Sequence, residues 1–309
     1  MNEFRVNRKL MGSAFELVLV HKDKKKAIYF LEKGLDEIKR IETLLSEFKP
    51  DSFTSLINQN AGKKSIAINN EVFTLLQRSL QISDITNGAF DITVGPLKQL
   101  YRFKNEKFKL PSRKEINKVL QRVGYKKVKL SANPLAIFLK KEQMHISFAA
   151  IGKGYAADCV KKIWLAEGLT SGIINASGDL TTFGTRADGS PWKIGIAHPD
   201  NKDEILFYIP VNNAAVATSG DAEQFFIHKN TRFSHNINPK TGSPLKGLKS
   251  VSVFSPSAEL SDALATAVYV MGIQKGLHFI DQLPDTHALI IDDKNEVSFS
   301  KSLILQHEK

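Results

Sequence analysis

A single cysteine, Cys159, stands alone in a chain of 309 residues. One thiol closes no internal disulfide and builds no thiolate metal centre, so a disulfide scaffold and a zinc–thiolate site are both excluded. Among its apolar and basic neighbours Cys159 reads as a small buried side chain, and thiol redox chemistry is set aside. Long hydrophobic runs are equally lacking: no stretch approaches the roughly 18 uninterrupted apolar residues of a membrane span. The most apolar early run, Leu10 to Val20, contains Glu16, has no small-residue cleavage site behind it, and leads into His21-Lys22-Asp23-Lys24-Lys25-Lys26. It reads as a strand and not as an export signal. No early cysteine offers a lipid-anchor position. As written, the expectation is a cytoplasmic protein, the alternative being an exported one whose leader was trimmed. Internal repeats and low-complexity linkers are also missing, which leaves one domain over 1–309, with room for a helical N-terminal lobe and a strand-rich C-terminal lobe.

What is present is an ordinary globular composition, 42% apolar and 24% charged, with enough chain to bury a sizeable core. The formal charge of +11 raises the question of nucleic acid. That excess is local. Between Lys98 and Leu130, 12 basic residues from Lys98 to Lys129 stand against only Glu106 and Glu115, a net of +10, with Tyr101, Phe103, Phe108 and Tyr125 interleaved. Ile116, Val119, Leu120 and Val123 recur at helical spacing after Pro111-Ser112, so the segment reads as an amphipathic helix with a solvated basic face. The alternative is a docking surface for an acidic protein or a phosphorylated ligand; nucleic acid is not the expected partner.

The periodicity predicts a strand over Phe15–Val20 and a long helix over Ala27–Leu45, with Ile28, Leu31, Leu35, Ile38, Ile41 and Leu45 at three-to-four spacing. Ser46–Lys64 is loop-like. A second helix follows from about Asn70 to Thr86, stopped by Asn87-Gly88. Beyond the basic segment come strands at Leu135–Leu139 and His145–Phe148 and a helix over about Gly154–Glu167. Short strands then follow, at 172–175, 192–197, 205–211, 214–218, 225–228 and 250–254, separated by turns such as Ser177-Gly178-Asp179. A helix over Glu259–Met271 precedes a final strand pair near 288–291 and 297–299. Helices first and mostly antiparallel strands later give an α+β architecture, mostly antiparallel sheets with flanking helices.

Four polar clusters interrupt the apolar pattern. Gly88-Ala89-Phe90-Asp91-Ile92-Thr93-Val94-Gly95-Pro96 is a turn that carries a carboxylate. Ser147 to Tyr155 includes Gly152-Lys153-Gly154 at a helix start, where glycines permit close backbone approach to a phosphate and the lysine adds charge; a bare Gly-Lys-Gly is also an ordinary turn. Ala217-Thr218-Ser219-Gly220-Asp221 is followed by Phe233-Ser234-His235-Asn236-Ile237-Asn238-Pro239, in which His235 reads as a base, a phosphate contact or a structural histidine. In the fourth, Asp262 and Thr266 lie four apart on one side of a helix, a partial oxygen set of the kind Mg²⁺ completes with water and phosphate. Asp262 reads equally as a helix cap.

Taken in order, these clusters, together with Lys9-Leu10-Met11-Gly12-Ser13 and Ser46-Glu47-Phe48-Lys49-Pro50-Asp51-Ser52, resemble the ApbE family of FAD:protein FMN transferases. The resemblance runs from the first dozen residues to beyond residue 270. It implies FAD bound in a cleft between lobes and Mg²⁺-dependent transfer of the FMN half of FAD to a threonine or serine hydroxyl of an acceptor flavoprotein, such as a subunit of a redox-driven ion pump or a reductase, with release of AMP. By position it implies a metal site on the Ala150 carbonyl, Asp262 and Thr266. The implied FAD contacts are Met11, Phe48, Ala89, Phe90, Asp91, Ser147, Lys153 and Ile237. His235, and less directly Asp221, are implied for proton transfer or phosphate stabilisation. The chain departs from the family pattern at Ser147 (often Asp), Phe48 (often Tyr) and Asn238 (often Asp). Two other readings use the same residues: an FAD pyrophosphatase that passes FMN to water, and an FAD-binding protein without chemistry.

Overall fold

The computed structural model describes residues 1–101, 110–220, 225–228 and 231–301. Asp221 and the basic residues Arg102, Lys104, Lys107 and Lys109 fall outside them. The chain opens on a hairpin: β1 (Asn2–Leu10) and β2 (Ser13–His21) pair antiparallel, with Leu10 opposite Ser13. The two turn residues, Met11 and Gly12, have φ of 49° and 74°, the left-handed pair that matches the twist of a tight hairpin. The sequence reading contains no β1, because this strand is mostly exposed and rich in charge, the composition that protects a sheet edge.

α1 (Lys24–Leu45) starts three residues before the expected Ala27, since the Asp23 carboxylate accepts from the Lys25 and Lys26 N–H groups at 2.7 and 3.3 Å. The expected loop Ser46–Lys64 contains a helix, α2 (Phe53–Gln59), capped by Ser52, whose hydroxyl accepts from Ser55 N–H at 3.0 Å. After β3 (Ile66–Ala67), α3 (Asn70–Ile85) follows the predicted course. Two short helices come next, α4 (Gly95–Tyr101) and α5 (Arg113–Leu120), the latter with a Ser112–Glu115 capping box. Ile116 and Val123 pack with Leu97, Tyr101 and Ile237, which leaves Lys114 and Lys118 on the exposed face of α5. β4 (Val128–Ala132) and β5 (Leu135–Leu139) join β3 in a small sheet. The expected strand His145–Phe148 is extended chain outside any ladder: Ile146 N–H donates to Asn58 Oδ1 and Ser147 N–H to the Ile92 carbonyl. A side chain and a loop satisfy the groups that a neighbouring strand would have taken.

α6 (Gly152–Ala166) leads into β6 (Gly172–Ala176), β7 (Asp179–Phe183), β8 (Trp192–His198), β9 (Asn201–Val211) and β10 (Ala215–Gly220). The hairpin β11 (Phe225–His228) and β12 (Thr231–Ser234) precedes β13 (Leu248–Ser255), and α7 (Ala258–Met271), α8 (Ile273–Ile280), β14 (His287–Asp292) and β15 (Val297–Phe299) close the described chain. Among the described residues no helix is long and apolar enough to cross a membrane.

The central sheet has the order β1-β2-β6-β7-β10-β13-β14-β15, antiparallel throughout. Its strands alternate between two cores. Phe15, Leu17, Leu19, Ile174, Val251, Val253, Ala288 and Ile290 pack with α1, α6 and α7, while Val216, Phe254, Leu289 and Ile291 face the other way, onto Ile194, Ile196, Ile209 and Val211 of the β8–β9 ribbon. Both faces of the sheet are therefore covered, by helices on one side and by the ribbon on the other. The α+β, mostly antiparallel class expected from the sequence is the observed one.

Candidate active site

Between the central sheet and β8 lies a cavity of about 760 Å³, within the size range of small-molecule sites. Val18, Ile173, Leu180, Val216 and Thr218 form its sheet wall, Trp192 to His198 its ribbon wall, and Lys98, Ala149, Ala150, Lys153, Asp179, Ser219, Asp262 and Thr266 its polar end; His235 and Asn236 also line it.

The polar end is assembled by contacts that leave little freedom. β6 and β7 turn through Ser177 and Gly178, at φ of 59° and 100°, and this tight hairpin puts Asp179 at the cavity with only 3% of its surface exposed. Lys153, in the first turn of α6, forms an ion pair with Asp179. Gly154 lies against α7: a Cβ there would be 2.1 Å from the Ala258 carbonyl oxygen. The second glycine of Gly152-Lys153-Gly154 is thus needed for helix packing, and the close backbone neighbour is protein. Asp158, one turn further along α6, accepts from the N–H groups of Ala258 and Glu259 at 3.0 and 2.8 Å. Together with Ser257, which accepts from Leu260 N–H at 3.3 Å, it satisfies the first turn of α7. The cap is therefore Ser257, and Asp262 is free of that duty.

Asp262 is buried, and its one hydrogen bond among the described residues is a long one, 3.4 Å from Gly154 N–H. Burial and the neighbouring Asp179 raise its pKa well above the ordinary carboxylate range, against the pull of Lys153 and Lys98. Thr266, one helical turn on, shares a 3.1 Å hydrogen bond with Ser219 of β10. Lys98 reaches this end from α4; burial lowers its pKa, while Glu47 and Asp262 oppose that shift. Glu47 bonds His145 Nε2 at 2.8 Å and accepts from the Ser147 hydroxyl at 3.2 Å.

The structure brings Ala150, Lys153, His235, Asp262 and Thr266 together on this one cavity. The other expected site residues lie elsewhere. Ala89, Phe90 and Asp91 are buried, and the Asp91 carboxylate accepts from Thr93 N–H, Thr93 Oγ1 and Tyr125 N–H at 2.8, 2.6 and 2.9 Å, so it organises its own turn. Ile237 is buried in the α4–α5 core. Met11 packs at the hairpin turn, its N–H donating to Glu42 Oε1 at 2.9 Å. Phe48 is 88% exposed, and Ser147 is held by Glu47. Asp221 follows Gly220 at the end of β10 and lies outside the described residues. Sequence reasoning missed two charged groups of the polar end, Asp179 and Lys98. Ser177-Gly178 before an aspartate was a usable signal for the first, since a tight turn fixes the residue behind it; Lys98 was hidden in a run of lysines.

Comparison with known proteins gives one consistent picture. The ApbE family model matches residues 11–290. The FAD:protein FMN transferase of Escherichia coli K12 is 28% identical over 273 residues, covering 86% of this chain and 78% of that protein. The protein of the same name from Haemophilus influenzae is 30% identical, covering 79% and 73%. Among solved structures, the ApbE protein of Thermotoga maritima superposes with a TM-score of 0.88 at 29% identity, covering 97% of this chain and 98% of that one. The apo flavinyl transferase ApbE of Pseudomonas stutzeri, at 24% identity and a TM-score of 0.86 over 97% and 95%, shares the fold.

Proposed function

The chain belongs to the ApbE family, and from that premise we propose that it is an FAD:protein FMN transferase, which moves the FMN half of FAD onto a threonine or serine hydroxyl of an acceptor flavoprotein. The observation that carries this reading is the buried Asp262 with Thr266 one turn on, at the end of a cavity that Lys153 and His235 also line. A buried carboxylate with a single long hydrogen bond is poorly satisfied. Carboxylate, hydroxyl and the Ala150 carbonyl form an all-oxygen set, which fits a small hard cation such as Mg²⁺. Bound there, such an ion would supply positive charge to the diphosphate.

The reaction forms a bond between the acceptor hydroxyl oxygen and the FMN phosphorus and breaks the bond from that phosphorus to the bridging oxygen, which leaves with AMP. The hydroxyl proton has to go to a base, and His235 is the candidate on the cavity. Lys153, fixed by Asp179, contributes a positioned positive charge as negative charge grows on the leaving phosphate. The sheet and ribbon walls shield the diphosphate from competing water. The exposed Phe48 ring presents a flat apolar face suited to an aromatic ligand.

The test is incubation with FAD, Mg²⁺ and an acceptor flavoprotein, followed by denaturing electrophoresis and mass spectrometry. Flavin fluorescence on the denatured acceptor, with a mass increase of one FMN residue, is the expected result, lost in Asp262→Ala and on chelation. Free FMN and AMP with no labelled acceptor would overturn transfer in favour of hydrolysis.

A further inference from the structure

Four lysines line the cavity, and they are not equivalent. Lys153 is paired with Asp179. Lys249 is paired with Asp200 and donates to Asn295 Oδ1 at 2.8 Å. Lys193 lies on β8, along the ribbon wall, and has interactions of its own. Lys98 differs: among the described residues no hydrogen bond or ion pair falls to its ammonium, which feels only the more distant charges of Glu47 and Asp262. Glu47 is already engaged by His145 and Ser147.

The helix that carries Lys98 is held on two sides. A Cβ on Gly95 would lie 2.6 Å from His145 Cδ2, so α4 is pressed against that ring. At its other end the buried Tyr101 hydroxyl donates to the Gly242 carbonyl at 2.7 Å. Leu97 is fully buried between these contacts. A lysine mounted on such a support is aimed at the cavity before any ligand arrives. It also stands apart from the basic helix with which its sequence neighbourhood groups it, since Lys114 and Lys118 of α5 face solvent.

We propose that Lys98 binds the diphosphate of the dinucleotide substrate, donating to its non-bridging oxygens at the end of the cavity occupied by Asp262 and Thr266. The proposal rests on the transferase reading and names a residue that the reading does not require. A compact ammonium with three donors suits tetrahedral phosphate oxygens, and a cation without a hydrogen-bond partner among the described residues has donors to give. The competing role is that of a counter-ion for Asp262 and Glu47, in which case its loss would affect folding and all ligands alike.

The experiment separates the two. Affinities of the full chain for FAD and for riboflavin, which carries no phosphate, are measured by flavin fluorescence in EDTA, so that no turnover occurs. Lys98→Met is expected to weaken FAD binding about tenfold or more, the loss of one charge-assisted hydrogen bond, while riboflavin stays within about twofold and Lys98→Arg recovers part of the difference. Thermal unfolding of each variant accompanies the titrations, and Lys98→Gln serves if Lys98→Met does not fold. Unchanged FAD affinity, or equal weakening of FAD and riboflavin, overturns the proposal. Failure of the unsubstituted chain to bind FAD even with Mg²⁺ present, on a time scale shorter than any cleavage, overturns the transferase reading itself, and the proposal with it.

Discussion

Replacing Gly154 by alanine is expected to destabilise the protein and to damage the site together, because one contact serves both. A Cβ at this position would stand 2.1 Å from the Ala258 oxygen, 2.4 Å from its carbonyl carbon and 2.8 Å from Glu259 N. Ordinary carbon contacts lie near 3.5 Å or beyond, so α7 has to retreat by more than about 1 Å. All three atoms are backbone, and no side chain can swing aside. Overpacking of this kind costs about 3 kcal/mol, the upper part of its usual range, and the better helix propensity of alanine returns up to about 1 kcal/mol. The expected net loss is about 2 kcal/mol in urea unfolding followed by tryptophan fluorescence. Gly152→Ala is the control: its Cβ would meet Phe148 Cβ at 3.3 Å and the flexible end of Met11 at 3.8 Å, and its stability should stay within about 1 kcal/mol of the parent. A retreat of α7 also carries Asp262 away from Gly154 N–H and Lys153, so FAD affinity should fall in Gly154→Ala and hold in Gly152→Ala. Equal stability and equal FAD affinity in the two variants would refute this account of the Gly-Lys-Gly segment.

Asp158, half-buried where α6 meets α7, has its pKa pushed up to about 6 by desolvation, against the opposing hydrogen bonds from Glu259 and Ala258 N–H. From about pH 4 to about pH 6 the unfolded chain has released this proton and the native state still holds it, so this group's contribution to stability falls as pH rises. The stability of Asp158→Asn relative to the parent should therefore improve by about 2 kcal/mol between pH 4.5 and 7.5, over a constant offset for the altered hydrogen bonds; a pH-independent difference would contradict the assignment. Tyr101→Phe removes the 2.7 Å hydrogen bond to the Gly242 carbonyl and should lower stability by about 1–2 kcal/mol in denaturant titration. An unchanged midpoint would show that this bond does not anchor α4.

The elements legible in the sequence are those with a clear apolar stripe. α1 and α3 follow their three-to-four spacing, and α7 follows a run so apolar that only a doubly covered helix could use it. α2 was invisible because its buried face includes Thr54 and Ser55 alongside Ile57, and hydroxyl-bearing residues carry no hydrophobic period. His145–Phe148 alternates like a strand, yet its backbone partners are Asn58 and Ile92, and no local pattern announces a side chain that stands in for a strand. In the site, Asp262 and Thr266 could be paired on paper because one helix carries both. Asp179 and Lys98 are 81 residues apart in the sequence and meet the same cavity only through the β6–β7 turn and the placement of α4, information that exists only in tertiary structure.

The charge at the polar end suggests why metal and dinucleotide should arrive as a pair. Counted with Asp179 and Asp262 as carboxylates, the form in which Asp262 would hold a cation although burial and Asp179 raise its pKa, two negative groups face the ammonium groups of Lys153 and Lys98, a set that is formally neutral. A divalent cation alone would leave a surplus of two positive charges beside the buried Asp179 and Asp262, and a diphosphate alone would leave two negative ones. Both together restore neutrality, which is a coupling free energy between two ligands and is therefore reciprocal. Mg²⁺ should tighten FAD binding, and FAD should tighten Mg²⁺ binding, by the same factor, about tenfold for a coupling near 1.4 kcal/mol. Fluorescence titration of FAD at several Mg²⁺ concentrations, without acceptor and on a time scale shorter than any FAD cleavage, measures the factor directly. Lys98→Met should weaken FAD binding and tighten Mg²⁺ binding while leaving the coupling factor itself nearly unchanged, because a fixed charge favours one ligand by as much as it disfavours the other. Independent binding of the two ligands in the unsubstituted chain would refute the neutrality argument.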